Sequence, residues 1–199
     1  MYAAFLLLVT TGMRRGEALG LRWCDLDLAA GRASVAQTVI AINHQVTIGS
    51  PKTAAGRRTV ALDAGTVAAL RDHRKRAATE RLLMGEGFTD HGLVFCRPDG
   101  GPLHPARFSR TFTEQAERAG LQPIRLHDLR HTWATLALSA GVHPRVAQER
   151  LGHATIGITL GIYSHVTEGM QADAAALVAG LMTAPVSNPL AESDTGTGN

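Results

Sequence analysis

The chain has 199 residues, 45% of them hydrophobic and 19% charged, which excludes a disordered chain and leaves room for one buried domain or two small ones. Twenty Lys and Arg against 17 Asp and Glu give a formal charge of +3 and a pI near 9.3, which permits a polyanionic partner without requiring one. Cys24 and Cys96 form no CxxC pair and Ala3–Val9 is too short to span a bilayer, so a disulfide scaffold, a zinc ribbon and a membrane anchor are not expected, and a reducing cytoplasm fits.

Tyr2 to Val9 reads as a helix broken by Thr10-Thr11-Gly12, and a second, short helix is expected from Arg14 to Leu21. The character then changes. Val35, Val39, Ile40, Ile42, Val46 and Ile48 are β-branched, Ala29-Ala30-Gly31 reads as a turn, and Thr59–Leu62 follows as a further strand after a Pro51–Gly56 hairpin or loop. Together these predict one small antiparallel sheet. Asp63 is placed to N-cap a helix over Ala64–Met84, followed by a loop, a short apolar stretch at Leu93–Phe95 and a turn at Pro98-Asp99-Gly100-Gly101. Pro105 opens a helix that runs to Ala119. Further helices are expected at His127–Ala140, Pro144–Leu151, Thr155–Ile162 and Thr167–Met182, with Gly141 and Gly152 as punctuation. Thr183–Asn199 is rich in Pro, Ser, Thr, Gly and Asn and reads as a disordered tail. The fold class is α+β, mainly helical, with one small sheet in the first third.

Arginines cluster at Arg14-Arg15, at Arg57-Arg58, and from Arg71 to Arg81, where a solvated helix face is the preferred reading. Four segments carry more. They are Thr11-Gly12-Met13-Arg14-Arg15-Gly16-Glu17, Pro51-Lys52-Thr53 through Arg57-Arg58, His127-Asp128-Leu129-Arg130-His131, and Leu151-Gly152-His153 followed by Ile162-Tyr163-Ser164-His165. In their content and order the four resemble the arginine, lysine, HxxR, LGH and tyrosine motifs of the tyrosine recombinases of the phage-integrase family. The resemblance runs over roughly residues 1–181.

The resemblance implies the catalytic-domain fold of DNA breaking-rejoining enzymes over residues 1–182, with the family's N-terminal core-binding domain missing and 183–199 as a tail. It implies site-specific recombination on double-stranded DNA. Tyr163 would be the nucleophile, forming a 3′-phosphotyrosine link that retains the bond energy without ATP. Arg14 and Arg130 would hold the non-bridging phosphate oxygens by forked contacts, as a transition state gathering negative charge requires. His127 would act as base or phosphate contact, His153 would donate to the phosphate, Lys52 would protonate the leaving 5′-oxygen, and Glu17 would orient its neighbours. Arg14, Lys52, Arg57, Arg58 and Arg130 are the expected DNA contacts. A homotetramer on paired sites is expected too, with no cofactor and no Mg²⁺ dependence. His127 and His131, one helical turn apart, admit a metal site, but no third ligand has matching spacing and Arg130 would set a cation beside the metal.

Duller readings stay open. Lys52 serves equally as a turn lysine, His127 as a helix cap, His153 as a packed histidine and Tyr163 as a core aromatic. A remnant that binds DNA without turnover and a type IB topoisomerase are the rival functions.

Overall fold

The computed structural model describes residues 1–43, 45–50 and 56–153, and single positions 155, 157, 161, 176 and 179. The chain divides into a main unit, Met1–Ser164, and a C-terminal unit, His165–Asn199. In the second, Ala176 and Ala179 are described, and both are helical.

The main unit opens with α1 (Tyr2–Thr11), which ends where Gly12 takes a left-handed conformation, φ 67°. A short α2 (Arg15–Gly20) follows. Five strands come next: β1 (Leu26–Asp27), β2 (Arg32–Val35), β3 (Thr38–Ile42), β4 (Gln45–Gly49) and β5 (Arg58–Ala61). The helices α3 (Ala64–Met84), α4 (Pro105–Arg118), α5 (Asp128–Ser139) and α6 (Pro144–Leu151) complete the described elements. Local chemistry accounts for their starts. The Asp63 carboxylate accepts from the Thr66 amide at 2.9 Å, and Pro105 and Pro144 occupy first-turn positions behind His104 and His143, whose rings accept from the second amides beyond them.

The β-rich stretch forms two small antiparallel sheets rather than the single one expected. One is three-stranded in the order β1-β2-β5, and the other is the β3–β4 hairpin. The division falls at Ala36-Gln37. There the Gln37 amide donates to the Gly20 carbonyl at 2.8 Å and draws the chain onto α2. Gly16 and Gly20 make that approach possible. A Cβ at Gly16 would sit 2.6 Å from the Val39 carbonyl oxygen, and one at Gly20 would sit 3.0 Å from that of Gln37. Leu93–Phe95 is buried and pairs with Arg22 through an isolated bridge at Leu93, so it is not a regular strand.

One apolar core joins the helices to the three-stranded sheet through Leu7, Leu19, Val60, Leu70, Val94 and Phe108. Helix α1 lies against both α3 and α5. Its Phe5 ring packs against Phe108 and Phe112 of α4, with centroids 5.2 and 5.3 Å away. Buried residues on α5 and α6, among them Ala134, Leu138 and Leu151, hold these two helices against the same body. The end of α1, the start of α2 and the end of α6 therefore meet. No described helix is long and apolar enough to cross a membrane.

Candidate active site

The last carbonyls of a helix have no partner within it and carry partial negative charge. At the end of α6, three successive carbonyls are taken by arginines from three distant segments. Arg58 at the start of β5 donates its Nε to the Arg150 oxygen at 2.6 Å. Arg130 of α5 donates Nη2 to the Leu151 oxygen at 2.8 Å, and its Nη1 reaches the Gly12 oxygen at 2.7 Å. Arg14 donates Nη1 to the Leu151 oxygen at 3.4 Å and Nη2 to the Gly152 oxygen at 3.0 Å. Gly12 has to be glycine here. Its φ is positive, and a Cβ would lie 2.7 Å from the Leu151 side chain.

Glu17, 4% exposed, holds the group together. Its Oε1 accepts from Arg14 Nη1 at 2.9 Å and Arg58 Nη1 at 3.0 Å, and its Oε2 from Arg58 Nη2 and the Arg14 backbone N–H, both at 2.8 Å. Burial pushes the Glu17 carboxyl up, but the bonds from Arg58 and Arg14 together outweigh it and hold it below the usual carboxylate range. Burial, with Arg14 and Arg58 nearby, pushes Arg130 down to about 9, which still leaves it charged at neutral pH. Three guanidiniums gather about one carboxylate, a net +2, with Arg58 and Arg130 buried and Arg14 partly exposed. That excess is unfavourable until an anion enters, so the cluster is built to receive one.

Beside this cluster lies an open cavity of about 760 Å³. Arg14, Arg130 and His127 line it together, with Ile40 and Ala41 of β3 on its wall and the exposed Arg15, Arg110 and Arg125 also reaching it. Burial, then His131 and Arg130, lower the His127 pKa, and its ring meets that of His131 edge-on at a centroid distance of 4.8 Å. Among the described residues no group of three or more His, Cys, Asp or Glu side chains could hold a metal ion. His153, half-buried, is pushed down to about 4 by burial and by the charges of Arg130, Arg14 and Arg58, so its imidazole is neutral at physiological pH.

The structure thus brings together Arg14, Glu17, His127, Arg130 and His153 from three separate stretches of chain. Arg57 is exposed. Lys52 and Tyr163 lie outside the described residues. Arg58, expected as a DNA contact, is instead turned inward. Its side chain is 8% exposed, with four bonds to Glu17, Arg150 and Gly56, and it does not line the cavity. Sequence reasoning also missed Arg15, Arg110 and Arg125 on the cavity. Arg15 sits inside the first motif but beside the arginine the motif selects, while Arg110 on α4 and Arg125 just before α5 belong to no motif.

Helices gathered on a small β-region, with two arginines facing one cavity from the ends of α1 and α5, form the catalytic-domain fold of the tyrosine recombinases. The Tn1549 transposon integrase, solved in complex with a circular-intermediate DNA, superposes with a TM-score of 0.75 at 24% identity, over 88% of this chain and 58% of that one. The chain belongs to the phage integrase family, whose model matches residues 1–170. A tyrosine recombinase XerC-like protein of Caldanaerobacter subterraneus is 34% identical over 180 residues, 82% of this chain and 45% of that protein. The ICEBs1 integrase of Bacillus subtilis is 30% identical over 166 residues, covering 83% and 45% respectively. The chain spans about half the length of these curated relatives.

Proposed function

We propose that this chain, over residues 1–182, is the catalytic domain of a site-specific recombinase that cuts and rejoins double-stranded DNA through a covalent link to Tyr163. The observation that carries the reading is the convergence of Arg14 and Arg130 on one cavity with an excess of buried positive charge. A phosphodiester fits this arrangement. It brings one negative charge, and its non-bridging oxygens gather more as the reaction proceeds, where fixed guanidiniums stabilise it most.

In this mechanism the Tyr163 oxygen attacks the phosphorus, the bond to the 5′-oxygen breaks, and a 3′-phosphotyrosine forms. Free tyrosine has a pKa near 10, so its proton must be drawn off, and the His127 imidazole, which lines the cavity with the two arginines, is the base for it. His153, neutral, donates a hydrogen bond to the phosphate. Lys52 gives a proton to the departing 5′-oxygen. A second strand's 5′-hydroxyl then reverses the attack and the strands are exchanged. The cations are the protein's own, so the reaction needs no metal and no ATP. On paired sites four copies assemble.

The test is a DNA duplex nicked beside the cleavage point, so that religation is blocked, with sites taken from sequence flanking the gene. Wild type and Tyr163→Phe are compared on a denaturing gel in EDTA. A protein–DNA band that appears without metal and vanishes in Tyr163→Phe is expected. A band in both proteins would move the nucleophile elsewhere. Retardation on a native gel with no covalent band would instead make the chain a DNA-binding module.

A further inference from the structure

We infer that Arg58 is a positioning residue for the cleavage reaction, acting through Glu17 to aim Arg14 and to keep its charge available to the phosphate. The inference rests on the strand-exchange reading for its effect on rate, but its geometry stands without it. Arg58 is 8% exposed and does not line the cavity, so it is not built to touch DNA. Its bonds go to Glu17 Oε1 and Oε2, to the Arg150 carbonyl and to the Gly56 carbonyl.

Two consequences follow for Arg14. Glu17 accepts four hydrogen bonds, which fills the acceptor capacity of a carboxylate. It is therefore locked, and the Arg14 guanidinium is fixed between Glu17 on one side and the Leu151 and Gly152 carbonyls on the other. Without Arg58 the carboxylate is free to turn and close a simple two-point pair with Arg14. That pair would neutralise the charge on Arg14 and pull its fork from the cavity. Arg58 acts as a second cation that shares the Glu17 charge and leaves Arg14 in excess. It also ties the strand that follows Lys52 to the end of α6, so the same contact holds three motifs in register.

The groups that face Glu17 are Arg14, through side chain and amide, and Arg58, while Arg130 feels its charge from farther off. Burial already opposes the charged form of Glu17. Loss of Arg58 therefore raises its pKa, and protonation as the pH falls releases Arg14. A residue that served the fold alone would show no such pH dependence.

The experiment compares wild type, Arg58→Met and Arg58→Lys of this chain by two readouts. The first is the steady-state ¹⁵N NOE of the Arg14 Nε–H, assigned by its loss in Arg14→Lys. The second is the single-turnover rate of covalent adduct formation on the nicked duplex from pH 5.5 to 8. In Arg58→Met, shown folded by thermal melting, the Arg14 NOE should drop. The rate should fall by about 100-fold, with a deficit that changes between the two ends of the pH range, and Arg58→Lys should recover part of both. An Arg14 NOE equal to wild type, or a deficit of the same size at every pH, would overturn the inference. If Arg58→Met does not fold, Arg58→Lys decides it alone, since wild-type values for both readouts in that variant would also overturn it. If wild type forms no adduct, the strand-exchange reading falls, while the NOE comparison still reads the positioning.

Discussion

Two arginine-rich regions of this molecule look alike in sequence and behave as opposites. Around α3, Arg74 lies over the Trp23 ring at 5.5 Å, Arg81 lies over Phe88 and pairs with Asp90 at 2.6 Å, and Arg97 pairs with Asp99. A cavity of about 440 Å³ even opens among them. Yet Arg81 and Arg97 are each more than half exposed, and each has its own carboxylate. An exposed pair of that kind contributes little. At the end of α6, Arg58 shares a single buried carboxylate with Arg14, and the buried Arg130 is held by the Gly12 and Leu151 carbonyls with no carboxylate of its own. The contrast shows that neither arginine count nor a concave surface marks an anion site. An excess of desolvated charge, held in place by backbone carbonyls, does.

The sharpest way to break this contrast is to remove the two carboxylates in turn. Glu17→Ala strands the buried Arg58 guanidinium and frees Arg14, and should cost about 3–5 kcal/mol in urea unfolding, whereas Asp90→Ala should cost about 0.5 kcal/mol or less. Equal losses would erase the distinction. Next in size is Arg130→Gln, which should slow covalent adduct formation about 10²–10³-fold, with Arg81→Gln unchanged on the same nicked duplex.

A smaller effect concerns pH. The folded-state pKa of His153 is about 4, below its ordinary value near 6.5, so the unfolded chain binds the proton more readily. The stability this contributes is complete above about pH 6.5 and is lost as the pH falls towards 4. Urea midpoints measured across that window should decline on acidification, and His153→Gln should flatten part of the decline. His127, also depressed, adds in the same direction. The smallest change expected is in salt dependence. Arg15→Ala, on the rim of the larger cavity, should reduce the slope of log K against log salt by about 1 for duplex DNA, and Arg97→Ala should leave it in place.

Most helices of the main unit were legible because their signals are local. Asp63 caps α3, Pro105 and Pro144 start α4 and α6, and Gly12 and Gly152 end α1 and α6 in left-handed conformations. The split into two sheets was not. Val35 and Val39 belong to one β-branched run, and what parts them is the Gln37 bond to Gly20 across 17 positions, with close packing on two glycines of α2. In the site, Arg14, Glu17, His127, Arg130 and His153 were chosen by their motifs and do gather. Arg58 was misread because its charge was visible and its direction was not. Arg57, just before β5, is exposed, whereas Arg58, the first residue of that strand, turns to Glu17.

By itself, then, the sequence determined which residue types are present, where helices begin and end, and which family the chain belongs to, because caps, β-branching and motif spacing act over a few neighbouring positions. Only the tertiary structure decided which arginines line the cavity and which one turns inward to Glu17. That choice rests on backbone carbonyls. Gly12 receives Arg130 across 118 positions, and Gly152 receives Arg14 across 138. Every residue carries a carbonyl, so nothing in the identity of Leu151 or Gly152 announces it as a partner for arginine. It becomes one because α6 ends there, with its last oxygens unpaired, at the place where α1, α2 and α5 arrive.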